Sequence, residues 1–93
     1  MVGLVYDRVA GMPRFFFDID DGERIHRDDE GLDFANAELA RDNAVSALPD
    51  IARDVMPDGQ RRDFIVTMRD ESGTPMFRAS LSLRAEWLKA HPV

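Results

Sequence analysis

In two stretches of this chain apolar residues fall on every second position, and between them they fall on every third or fourth. That switch of period limits the fold more than any single residue does. In the first stretch Phe15, Phe17 and Ile19 alternate with Arg14, Phe16, Asp18 and Asp20, the pattern of a strand with one buried face. Asp20-Asp21-Gly22 follows with hairpin-turn chemistry, since glycine takes a positive φ freely and Asp side chains bond nearby backbone amides. A return strand is expected over Glu23 to Arg27, with Ile25 inward and Arg24 and His26 on the opposite face, before Asp28-Asp29-Glu30-Gly31 closes the hairpin. In the second stretch Phe64, Val66 and Met68 alternate with Ile65, Thr67 and Arg69. Asp70-Glu71-Ser72-Gly73 makes the turn, and Phe77, Ala79, Leu81 and Leu83 then alternate with Arg78, Ser80 and Ser82.

Between the hairpins Ala37, Ala40, Ala44, Leu48, Ile51 and Val55 recur at helical steps, while Glu38, Arg41, Asp42, Ser46 and Arg53 sit away from that stripe. Asp33 is the expected N-cap, because its carboxylate can accept from the open amides of the first turn, so the helix should begin at Phe34. Pro49 removes a backbone donor inside the pattern, which predicts either a kink near Leu48 or a second short helix starting at Pro49. Pro57-Asp58-Gly59 ends the segment in both versions.

The pieces predict an α+β domain: a four-stranded antiparallel sheet (ββαββ) with one long helix, kinked or broken at Pro49, packed on one face. The expected inner face is Phe15, Phe17, Ile19, Ile25, Phe64, Val66, Met68, Phe77, Ala79 and Leu81. Residues 1–11 read as a loosely attached arm, residues 12–83 as the domain, and residues 84–93 as a short helix or tail with Trp87 and Leu88 as anchors. Met12 is an alternative natural start. With 93 residues there is room for one core only, and a domain this small has modest stability unless association adds to it.

The residues MPRFFFDIDDGERIHRDDEG, the alanine-rich helix and FIVTMRDESGTPMF together resemble a family of small bacterial proteins catalogued only as a domain of unknown function. Its members open with a Met-Pro-Arg-aromatic strand, a short Asp-Gly turn and an Asp-Glu-Gly closure, and continue with a helix and a strand ending in Arg-Asp-x-x-Gly. The resemblance spans Met12 to Leu83 and implies the fold and a start at Met12; it carries no activity and no binding residue. The eleven-residue leader and Pro49 depart from the pattern.

Charge and residue content narrow the function. Eighteen acidic against twelve basic side chains give a net charge of -6, which disfavours nucleic acid and anionic membranes as partners. There is no cysteine, so thiolate catalysis, disulfides and most structural zinc sites are excluded, and without a signal-peptide core cytoplasmic residence is the expectation. Asp18, Asp20, Asp21, His26, Asp28, Asp29 and Glu30 form the densest polar cluster, but they lack EF-hand spacing and read as solvated turn acids. His26 has no nucleophile beside it, His91 belongs to the tail, and Ser80 and Ser82 lack the context of an activated serine.

No catalytic, cofactor-binding or metal-ligating residue is therefore assigned, no small-molecule substrate is evident, and the chain reads as a non-enzyme. The expected working surface is the open sheet face, an edge strand or the tail, with Arg14, Phe16, Arg24, His26, Arg69, Arg78 and Trp87 as its residues. The leading expectation is a module that forms a homodimer or docks on a protein partner. The alternative is a regulator binding single-stranded nucleic acid through an aromatic set among arginines.

Overall fold

The computed structural model describes residues 11–54 and 61–90. Its elements are β1 (Arg14–Asp20), β2 (Ile25–His26), β3 (Leu32–Asp33), α1 (Ala37–Asp54), β4 (Arg61–Arg69) and β5 (Pro75–Arg84). The main sheet runs β2-β1-β4-β5, with β3 also paired to β1, and every pairing is antiparallel. The α+β class, the single helix and the two hairpins are as expected. The sheet has a fifth short strand because the return of the first hairpin is split in two.

The helix covers one face. Ala44 and Leu48 are buried against Phe64 and Val66, and Ala40 against Phe15 and Met68. Alanine at 40 and 44 brings the helix backbone close to the sheet, where larger side chains would hold it off. Phe34 closes the near end of this core, its ring edge-on to Phe17 at 5.9 Å.

Two local expectations are corrected. The N-cap is Asn36: its Oδ1 accepts from Leu39 N at 2.9 Å, and its carbonyl accepts from Ala40. Asp33 is instead a strand residue opposite Arg14, so α1 starts at Ala37 and not at Phe34. Ile25 is 73 % exposed. It pairs with Asp20 on the open face, whereas His26 pairs with Ile19 on the helix side. The turn takes up one residue more than the alternation implied, and a one-residue slip exchanges the faces of a strand. Strand β5 runs to Arg84, and the described residues after it, 85–90, contain no helical turn.

Helix α1 continues through Pro49. Pro49 and Val45, whose carbonyl loses its partner there, are both exposed, so water can take the missing donor's place. Val55, the Pro57-Asp58-Gly59 stop, most of the N-terminal arm and His91 lie outside the described residues.

Candidate functional site

Two acids of the first hairpin, Asp18 and Asp28, are structural partners and not solvated turn residues. Residues 27–31 bulge out between β2 and β3, so on the side away from β4 the middle of β1 has no strand beside it. The Asp28 side chain stands in for one. Its Oδ2 accepts from Phe17 N at 3.0 Å, and its Oδ1 accepts from the N–H groups of Glu30 and Gly31, each at 3.0 Å. Asp28 N in turn donates to Asp18 Oδ1 at 2.9 Å. Gly31 makes the return possible: its φ is +73°, and a Cβ there would stand 2.8 Å from the Phe15 carbonyl oxygen.

Arg69 locks this arrangement from β4. Its Nε donates to Asp18 Oδ2 at 2.6 Å, and its Nη2 donates to Asp18 Oδ1 and to the Asp28 carbonyl, both at 3.0 Å. The guanidinium also lies 5.2 Å from the Phe16 ring centroid. The Arg69 hydrogen bond holds the Asp18 carboxyl below its ordinary range against the opposing effect of burial. At Asp28 burial pushes upward, but the amides of Gly31, Phe17 and Glu30 outweigh it and the net direction is down.

A second forked pair joins Arg14 and Asp33, with Nε to Oδ1 at 2.8 Å and Nη2 to Oδ2 at 3.3 Å, while Arg14 Nη1 donates to the Glu30 carbonyl. At the hairpin tip Asp21 accepts from Glu23 N and Arg24 N, each at 2.9 Å, and its Oδ2 lies 3.2 Å from His26 Nε2. The amides of Arg24 and Glu23, then His26, hold the Asp21 carboxyl down to about 2.

These contacts redistribute the expected surface residues. Arg14, Phe16 and Arg69 belong to internal networks. His26 sits at the hairpin edge on Asp21, and Arg24 is an exposed loop residue. Arg78 remains on the open face, where its Nε donates to Thr67 Oγ1 at 3.2 Å. Trp87 follows β5 and is 70 % exposed. The open face beside Arg78 carries a shallow groove of about 450 Å³ whose lining includes Asp18, Asp20, Ile25, Arg27 and Thr67. Among the described residues no group of three or more acids and histidines is placed to hold a metal ion, and no helix is long and apolar enough to cross a membrane.

The sheet edges differ sharply. The far side of β1 is blunted by two short strands and the 27–31 bulge. On the other side β5 has ten residues and, among the described residues, a neighbour only in β4. Hydrogen-bond parity fixes which groups face outward there. Phe17 N points away from β4, so Phe16, Asp18 and Asp20 turn their backbone groups toward Arg69, Thr67 and Ile65. Phe64, Val66 and Met68 then bond to Leu81, Ala79 and Phe77, which leaves the backbone N–H and C=O of Arg78, Ser80 and Ser82 directed at the free edge. Neither these backbone groups nor the Asp28 network were anticipated. The only sequence signal for the edge was an alternating strand with serines at successive outward positions.

A family model described as Domain of unknown function (DUF6894) matches residues 14–82, and the chain belongs to this family. No curated protein and no solved structure matches it.

Proposed function

We propose that this member of the DUF6894 family is a non-catalytic protein-interaction module that binds by strand addition at the edge of β5. The observation that carries the reading is the ten-residue strand that, among the described residues, has one unpaired side. An exposed edge of this length is a template for another strand, and folds that do not use one normally blunt it with charges, bulges or a covering element. Here Pro75 and a register slip at Met68/Arg69 disturb only its beginning. From Phe77 to Leu83 the edge carries one charge, Arg78.

Binding of single-stranded nucleic acid through the open face is less well supported. Arg69 and Arg14, two of the cations it needs, are forked onto Asp18 and Asp33, and Arg69 lies against the ring meant for stacking. A partner phosphate would have to displace carboxylates already in place.

Amide hydrogen exchange tests the edge directly. Labelled protein is compared in dilute buffer with the same protein at high concentration and in extract of its native cell. Strand addition selectively protects the amides of Arg78, Ser80 and Ser82, because Phe77, Ala79, Leu81 and Leu83 already bond to β4. Protection gained elsewhere on the molecule, with these three still exchanging fast, would remove the reading.

A further inference from the structure

We infer that the strand added to β5 is β5 of a second copy of this chain, antiparallel about a two-fold axis through Ser80. This rests on the strand-addition reading above and narrows it to one occupant and one register. In antiparallel pairing opposed residues share a face, so the axis must pass through a residue position; an axis between residues would set the helix side of one copy against the open face of the other.

Among the positions that remain, charge and regularity choose. An axis through Leu81 places Arg78 of one copy opposite Arg84 of the other, a like-charge pair. An axis through Ala79 runs Ser82 and Leu83 against the disturbed stretch at Pro75 and Met76. Axes farther toward either end pair fewer residues. An axis through Ser80 sets the regular run from Phe77 to Leu83 wholly against itself. Arg78 then faces Ser82, Ser80 faces Ser80, and the outward backbone groups of all three meet their counterparts in closely spaced pairs that exchange two hydrogen bonds each.

On the helix side the same register brings Ala79 opposite Leu81 and Phe77 opposite Leu83. Leu81 and Leu83 are 38 % and 39 % exposed in the single chain, although they lie on the face that carries the core. Among the described residues neither belongs to the packed clusters under α1. Their apolar surface is what a second copy would cover.

Because the chain has no cysteine, Ser80→Cys introduces a single thiol. In the inferred register the two Cα atoms would stand about 5.5 Å apart, the spacing of a hydrogen-bonded antiparallel pair and within disulfide reach. Ser80→Cys should therefore form a covalent dimer under mild oxidation. Arg78→Cys or Ser82→Cys alone should not, since like residues are then offset by roughly 13 Å along the strand. A mixture of those two variants should cross-link.

By light scattering the wild-type protein should be a dimer and Ser80→Pro a monomer with unchanged circular dichroism, because the N–H it removes faces away from β4. A wild-type monomer at high concentration, with Ser80→Cys linking no faster than Ser82→Cys, overturns self-pairing; protection of the three edge amides in extract would then still support strand addition by another protein. A dimer that survives Ser80→Pro, with no preferential linking at position 80, also overturns self-pairing, and fast exchange of the three edge amides in extract would remove strand addition with it. Should Ser80→Pro fail to fold, the cross-linking pattern decides alone.

Discussion

Replacing Asp28 by alanine should be among the most damaging single changes outside the apolar core. The carboxylate accepts three backbone N–H groups, those of Phe17, Glu30 and Gly31, and it replaces the strand missing beside the middle of β1 on the side away from β4. Two of these bonds are part-buried and one is exposed. A hydrogen bond to a charged acceptor contributes about 1.5–3 kcal/mol when shielded, and water can replace most of that at an exposed amide. Two such bonds, discounted because both are only part-buried, put the loss for Asp28→Ala at roughly 2–4 kcal/mol.

In a chain of this size that corresponds to a fall in Tm on the order of 10–25 °C, read by circular dichroism at fixed protein concentration because association would shift Tm as well. Asp28→Asn should recover part of the loss: its oxygen can serve Glu30 and Gly31, but its NH2 then opposes the N–H of Phe17. The control is Asp29→Ala at the exposed neighbour, expected within about 0.5 kcal/mol of wild type. If Asp28→Ala melts with Asp29→Ala, the side chain does not replace a strand and this account of the bulge is wrong.

The carboxyls of Asp18 and Asp28 both lie below their ordinary value in the folded state, so the stability they supply is present above pH ~4 and lost as pH falls through the folded values; wild type should lose more stability than Asp28→Ala between pH 5 and the acid limit, as measured by urea titration. Carboxyl chemical shifts should place the Asp21 midpoint near 2, and His26→Ala should raise it only partly, since the Arg24 and Glu23 amides are its larger stabilisers. Gly31→Ala should destabilise far more than Gly73→Ala in denaturant unfolding: both positions have positive φ, but a Cβ at Gly73 meets open space and one at Gly31 meets backbone. Asn36→Ala should cost about 1 kcal/mol by loss of the helix cap; an equal or smaller loss for Asp33→Ala would question the importance of the Arg14 fork.

The hydrophobic pattern and the turn residues made the architecture legible, because burying one face of β1, β4 and β5 under a helix leaves few other arrangements for alternation of this kind. Where the sequence reading failed, a polar contact between distant residues had overruled a local preference. Asp33 has the chemistry of an N-cap, but Arg14, nineteen residues earlier, holds it in a strand, and Asn36 caps the helix. Asp28 resembles any acid in a turn until the amide of Phe17 is found against it. Alternate spacing points Ile25 inward only for one length of the turn, and the sequence does not specify that length. The same limit explains the candidate site: a free edge is a property of strand order, and strand order depends on which partners win, not on any one segment. Once β4 is known to lie between β1 and β5, parity alone decides that Arg78, Ser80 and Ser82 present their backbone outward. An open sheet face bearing arginines can be named from alternation within single segments, whereas the edge of β5 can be named only from the order of the strands.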